Sequence, residues 1–550
     1  MELFDVKSEE KIGAHLILLP LMCYMLTQIS FIIGGFLTVF VPIFSLAICC
    51  LCLYWQTKKW SSVVFYIATF MFCIFCATII WDRSYDGTWY HADIQNAIAF
   101  HHWNPYFHWS LCDEDMLSGY RSFFWATHYA KGIETISASW VILTNNLESG
   151  KTTNLIFLIG LFFLLLSLFN KVNLFQNKYY KYLFIFIIVG NPVFLTQLFT
   201  NYIDWTSYVF LIIIMICLYK IVYEKKKLFE IVLYLLIILV VGIKINVAFW
   251  VCLYTFLLIT FLFYKRKTNS KIPILFLCSV CIGFLLAFNP YITNYLEYGN
   301  PFYPLAGNNN VDIMTEQIPE AIYNDNLFLK IFKSFVLPTG MGDIGDLTEV
   351  SNLRDFVVSL GSYDAHVGGF GLLFFYATLL LLVLSIFSSC PNKFKYTVWL
   401  CILGLFASLF LLPSGWWARY VAFFYITPII LIPLCCYDIS LRWGKPLFKL
   451  AIVMLVINSF LPLAVSSVYG LYQQKRSMMI LSYLKSVDTK KLEIKTANAL
   501  FVEKLSKNRI KYKRNNNLGE SQYIKFTGSS IYYSGVKLPN SMKGEVVKNK

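Results

Sequence analysis

Uninterrupted apolar runs of about 20 residues recur along most of this chain, and each is long enough to cross a hydrocarbon core as a helix. No soluble core could bury so many. In lipid, every backbone amide must be satisfied within its own segment or in a closed barrel. Runs of this length, without two-residue alternation, therefore dictate helices. The composition agrees: of 550 residues, 58% are hydrophobic and 14% charged, against roughly 25% charged in a soluble domain. The expected fold class is an all-α integral membrane protein of about 11–14 transmembrane helices, with two large extracytoplasmic loops.

The run from Leu16 to Trp55 is too long for one crossing and divides at Gly34-Gly35, giving helices near 13–33 and 34–55. A third follows Lys58-Lys59 at 60–81, and further spans are expected near 152–170, 180–200, 203–223, 227–243, 245–264 and 272–290. The last four fall near 368–389, 395–413, 418–437 and 447–468. Short loops rich in lysine (Lys58-Lys59, Lys171 to Lys181, Lys225 to Lys227, Lys265 to Lys267, Lys393 with Lys395, Arg442 with Lys445) alternate onto one side. The excess of positive charge marks that side as cytoplasmic. The same parity sends loops 82–151 and 291–367 outside, together with a polar, basic tail, 471–550, read as a small or loosely ordered appendage to a polytopic part, 1–470. The net charge of +15 thus sets topology, and nucleic acid is not an expected partner. The cysteines lie mainly inside apolar runs, where they act as small hydrophobes; only Cys112 falls in a polar loop. Met1–Lys11 has no cleavable-signal pattern.

Titratable groups crowd into the first outer loop, where five of the seven histidines lie between His91 and His128. If the third helix continues, Asp82 and Asp86 share a face, with Tyr90 and Asp93 below. Trp81, Trp89 and Tyr90 would desolvate a carboxylate there and raise its proton affinity, as a general base requires. The plainer reading is that these acids end a span and are solvated. His91, Asp93, His101, His102 and His108 are ligand types for a divalent metal, but ordinary interfacial hydrogen bonds explain them more simply; no cofactor is expected. Arg419, in Leu412-Pro-Ser-Gly-Trp-Trp-Ala-Arg-Tyr420, is placed at the outer edge of a span, where an unpaired guanidinium seeks an anion such as a lipid phosphate or snorkels to the headgroups. Lys131 and Arg121 are weaker cationic candidates. Asp204 interrupts an outer helix end, and Lys244, Asn246 and Asn289 are similar polar interruptions. The second loop offers Asp343, Asp364 and His366.

These residues carry a resemblance. A large first outer loop opening Asp86-x-x-x-Tyr90-His91 resembles the GT-C superfamily of polytopic glycosyltransferases, within it the bacterial ArnT and protein-mannosyltransferase group. Tyr129-Ala-Lys-Gly132, Asn145 to Lys151, Asn191-Pro-Val with Gln197 and Tyr202-Ile-Asp204, Asn289-Pro-Tyr, Asn300-Pro-Phe-Tyr-Pro304, Gly368-Gly-Phe-Gly371 and Trp416-Trp-Ala-Arg-Tyr420 fit the same picture in order, over about 80–470. Many relatives carry two adjacent acids at the loop start. Here Gly87 follows Asp86, which leaves the second carboxylate to Asp82, Asp93 or a second-loop acid. The resemblance implies transfer of a sugar from a polyprenyl-phosphate-linked donor to a glycan, lipid or protein acceptor at the outer face of the cell membrane. Asp86 would be the base, and Arg419, with Lys131 or Arg121, would meet the donor phosphate. The competing classes are a transporter or flippase of lipid-linked glycans and an envelope glycan polymerase or ligase.

The orientation is testable in intact cells. Ser118→Cys and Asn309→Cys should both react with a membrane-impermeant thiol reagent applied from outside. Protection of either one while a position in a lysine-rich loop labels would contradict the assignment.

Overall fold

The computed structural model describes residues 6–109, 120–172, 178–268 and 270–307, parts of 310–357, 359–487 and most of 489–539. Numbered in chain order, the first helices are α1 (Val6–Ile32), α2 (Phe40–Thr57), α3 (Trp60–Ile79), α4 (Ala92–Phe100), α5 (Tyr120–His128), α6 (Gly132–Thr144), α7 (Thr152–Lys171), α8 (Lys178–Val189), α9 (Pro192–Gln197) and α10 (Thr206–Glu224). They continue with α11 (Lys227–Val241), α12 (Ile245–Tyr264), α13 (Lys271–Leu286), α14 (Phe288–Tyr298), α15 (Leu327–Val336), α16 (Phe374–Ile386), α17 (Asn392–Ser408), α18 (Ile426–Cys435), α19 (Gly444–Ser486) and α20 (Ala499–Lys507).

Every run expected to be a span contains a helix, but the helices are more uneven than the expected set. Among the described residues seven are long and apolar enough to cross a membrane, or eight if α13 and α14, bent by 67°, form one span. Three shorter apolar helices cover Tyr179–Val189, Phe374–Ile386 and Ala422–Cys435. Local chemistry explains the shortfall. The run at 180–200 breaks at Gly190-Asn191-Pro192, where the Asn191 side chain accepts from Val193 N–H at 2.9 Å and donates to the Ala422 carbonyl at 3.0 Å. It therefore caps α9 rather than continuing α8. The run at 418–437 becomes helical only after a stretch of turns that carries Arg419.

Helix α10 is capped by polar networks at both ends. At its C-terminal end Lys220 meets Glu10 of α1 at 2.6 Å and Glu224 at 3.0 Å, and Lys171 at the end of α7 reaches Glu224 at 2.7 Å. Lys226, before α11, joins Glu10 and Glu224. Nineteen residues rise about 28 Å, close to the thickness of a hydrocarbon core. At the other end of α10 lies Asp204.

Two expectations are corrected at this second end. Helix α3 stops at Ile79, with Ile80 extended, and Asp82 stands in the non-helical residues that follow rather than on a helix face. Side chains satisfy the exposed backbone groups there: Lys151 donates to the Ile80 carbonyl at 2.6 Å, Gln474 accepts from Trp81 N–H at 3.1 Å and Glu148 accepts from Asp82 N–H at 2.9 Å. Of the two forms expected for the tail, small or loosely ordered, the described residues show a small ordered unit. The proposed boundary at 470 lies within α19, and beyond it four short strands pair in the order β4-β3-β6-β5, spanning Lys513–Arg514, Glu493–Ile494, Ser529–Ser534 and Tyr523–Phe526. These strands follow β1 (Gly340–Met341) and β2 (Ala365–Val367), which pair with each other in the second loop. Phe501 and Leu505 of α20 close a core with Ile480, Leu484, Ile494, Ile524 and Phe526.

This small α/β unit is fastened to the first loop by charge. Lys504 meets Glu148 at 3.1 Å and lies 4.4 Å above the Trp81 ring. Glu503 accepts from Leu147 N–H at 2.9 Å, and Asp93 accepts from Ala499 N–H at 2.8 Å. Glu148 also pairs with Lys151, and all three side chains are buried. Glu148→Ala leaves two buried ammonium groups without their anion, which typically costs about 3–5 kcal/mol. The expected outcome is a lower melting temperature of the full-length protein and earlier proteolytic loss of the C-terminal unit. Unchanged melting and digestion would contradict this role.

Candidate active site

Five chain connections converge at the Asp204 end of the bundle. Asp86 follows α3, Asp204 precedes α10, Lys244 joins α11 to α12, Asp364 precedes β2, and Arg419 lies between α17 and α18. Arg419 stands at the centre. Its Nη1 donates to Asp364 Oδ1 at 2.5 Å, its Nη2 to Asp86 Oδ2 at 3.3 Å, and its Nε lies 3.6 Å from Asp204 Oδ2. Lys244 meets the other Asp204 oxygen at 2.7 Å. Tyr202 donates to Asp364 Oδ2 at 3.1 Å, and the guanidinium lies 4.7 Å over the Trp417 ring and 5.1 Å from that of Tyr202.

Exposure separates the carboxylates. The Asp204 side chain is 1% exposed, whereas those of Asp86 and Asp364 are 23% and 26% exposed. Asp204 is the buried counter-ion: burial would raise its pKa, but Lys244 and then Arg419 hold it below the usual carboxylate value. Asp86 moves the opposite way. Burial pushes its pKa up, Arg419 opposes that, and the charge on Asp364 adds to it. The cluster thus presents two reachable carboxylates on one guanidinium, one of them with heightened proton affinity.

The remaining sequence candidates divide clearly. Asp82 is buried, with both oxygens occupied: Oδ1 accepts from the Ser84 amide and hydroxyl at 2.8 and 2.6 Å, and Oδ2 from the Asn201 backbone and side chain at 2.7 and 2.8 Å. That carboxylate also explains Gly87. A Cβ there would fall 2.7 Å from Asp82 Oδ2 and 2.1 Å from Ser84 Oγ, so a second acid directly after Asp86 has no room. The second carboxylate on Arg419 comes instead from the second loop, as Asp364. Asp93 holds the C-terminal unit. His91 is buried, with Nδ1 2.5 Å from Glu134 Oε1. Lys131 spends its donors on the Thr127 and Tyr129 carbonyls and on Asn289 Oδ1, at 3.3, 2.6 and 2.5 Å. Burial pushes its pKa down to about 7. The side chains of Arg121 and His366, and the whole of Asp343 and Cys112, lie outside the described residues. Among the described residues no three His, Cys, Asp or Glu side chains gather at metal-binding range.

Glu134 and Arg83 escaped sequence reasoning. Glu134 is the one charge in Gly132-Ile-Glu134-Thr-Ile-Ser-Ala-Ser-Trp140, which was the available signal, whereas Arg83 lies beside Asp82 and reads as an ordinary charged neighbour.

The ion cluster makes a signed pH prediction. Burial already raises the folded-state pKa of Asp86 above the unfolded value of about 3.9, and removing the guanidinium that opposes this raises it further. A carboxyl with a raised folded pKa gives stability that is fully present below the unfolded pKa and lost as pH rises through the folded one. Arg419→Met should therefore melt below wild type at pH 8, with a deficit that shrinks toward pH 5; Arg419→Lys should show a smaller deficit. A deficit independent of pH would contradict the cluster as the source of stability. No protein-family model, curated protein or solved structure matches the chain, so the argument for function rests on this geometry.

Proposed function

We propose that this membrane protein is a glycosyltransferase that moves a sugar from a polyprenyl-phosphate-linked donor to an acceptor hydroxyl, with Asp86 as general base. One observation carries the reading: Asp86 is a partly exposed carboxylate with raised proton affinity, fixed by Arg419 among buried groups at one end of an apolar bundle. A base must be oriented, reachable and reluctant to lose its proton. A donor with a long hydrocarbon chain is held in the bilayer and presents its phosphate at that same level.

In the reaction Asp86 takes the proton of the attacking hydroxyl as the acceptor oxygen bonds to the anomeric carbon. The bond from that carbon to the phosphate oxygen breaks, and the lipid phosphate leaves with the electron pair. Arg419 holds Asp86 and Asp364 apart from each other's charge and fixes the direction of the base, with Asp204 and Lys244 completing its neutralisation behind it. Its donors are directed at carboxylates, so the cation expected from sequence to meet the phosphate serves as a positioning residue. The alternation of lysine-rich loops supports an extracytoplasmic setting for this end.

Asp86→Asn is nearly isosteric but cannot take the proton. A positioned base contributes about 10²–10⁴-fold, so transfer of labelled sugar by isolated membranes should fall by that order at matched expression. Donor retention should survive, because the amide keeps the shape. Full transfer by Asp86→Asn would overturn the assignment.

A further inference from the structure

Arg83, like Lys131, is a buried cation that the Arg419 cluster does not absorb. It is 7% exposed, and among the described residues no carboxylate bonds to it. Its Nη2 donates to Ser466 Oγ and, at 3.5 Å, to the Gly361 carbonyl, and the guanidinium lies 5.4 Å from the centre of the Tyr363 ring. The neighbouring Asp82 is fully engaged with Ser84 and Asn201. Burial lowers the pKa of Arg83, opposed by Tyr363 and by the nearby Asp82 charge, which makes no hydrogen bond to it. A buried guanidinium without an anion is costly, and a protein retains one where an anion arrives.

The open edge faces a cavity of about 70 Å³, lined by Arg83, Thr196, Thr200, Ser466, Ser467 and Gly470, with Trp81, Phe199 and Leu471 as its apolar wall. Glycine at 470 leaves that edge uncovered: a Cβ there would sit 3.5 Å from Arg83 Nη1 and 3.6 Å from Nε. The adjoining face of α19 is apolar and outward, with Val468 70% and Leu471 58% exposed. A ligand here meets a planar cation and hydroxyls at its head and an exposed apolar helix face along its tail.

We propose that Arg83 and this cavity bind the phosphate of a membrane lipid, with Nε and Nη1 as the two-pronged donor. The site extends the transferase reading, on which its assignment to the donor lipid rests. Gly361 and Tyr363 contact Arg83 while Asp364, the next residue, binds Arg419, so the phosphate would be seated beside the carboxylates.

The test is the melting temperature of the full-length protein in nanodiscs of phosphatidylcholine alone, or with undecaprenyl phosphate, phosphatidylglycerol or dissolved inorganic phosphate. A ligand of the native state raises melting by mass action. Undecaprenyl phosphate should stabilise the wild type, and Arg83→Met should lose that shift while melting no lower than wild type in phosphatidylcholine alone. Gly470→Leu fills the cavity from a helical position and should lose the shift as well. A retained shift in both variants, or Arg83→Met melting lower in every lipid, would overturn the site. An equal shift with phosphatidylglycerol would support the phosphate pocket and overturn its assignment to the donor lipid; a full shift with inorganic phosphate would overturn the lipid part. Because binding is read without turnover, a wild type that binds but transfers no sugar would count against the transferase reading and leave the site standing.

Discussion

A guanidinium taken out of water must find its counter-charges nearby, and Arg419 finds three. Each comes from a different connection, and Lys244 supplies the second cation. Any displacement of one connection would leave a buried charge uncompensated, at a cost of several kcal/mol. This single requirement fixes where the ends of α3, α10, α11 and α12 sit relative to the second loop. Three carboxylates against two cations leave one negative charge in excess. The excess favours protonation at a reachable carboxyl, and Asp86 is the reachable one with raised proton affinity.

The polar groups sit at both ends of the bundle, and the apolar helices lie between them. At one end lysines and glutamates from α1, α7, α10 and the connection before α11 neutralise one another; at the other the Arg419 cluster pairs cations with aspartates. The spacing set by α10 matches an apolar layer about 30 Å deep. Arg83, three residues before Asp86, and Lys131 break the pattern of internal neutralisation: among the described residues neither bonds to a carboxylate, and of the two Arg83 lines the cavity beside Gly470.

Much of this was legible in the sequence. Length and hydropathy located the helices; Asp86, Asp204, Lys244 and Arg419 were singled out as polar residues in costly places, and Asp364 as one of several second-loop candidates. Their assembly was not legible, because pairing Asp364 with Arg419 across 55 residues and Asp86 with Arg419 across 333 depends on tertiary packing. Breaks such as Asn191-Pro192 read as polar interruptions of a span, whereas the Asn191 side chain makes them a helix cap. The order of the tail was illegible for a different reason. Its strands are short and its lysines dominate the composition, yet Leu492, Ile494, Phe501 and Ile531 suffice for a small core once α19 supplies Ile480 and Leu484. Asp82 and Asp93 looked like catalytic acids by their position, and only their hydrogen bonds reveal them as fasteners.

The central claim is that Asp86 acts as the base within a carboxylate pair organised by Arg419. The most direct measurement is the pH dependence of sugar transfer for the wild type and Asp364→Asn. If Asp86 is the base, transfer requires it ionised, and the rate should rise with pH through its raised pKa. Removing the Asp364 charge relieves repulsion and lowers that pKa. The account predicts that Asp364→Asn remains active with its acid limb displaced to lower pH. Collapse of transfer in Asp364→Asn, or an acid limb that does not move, would contradict it.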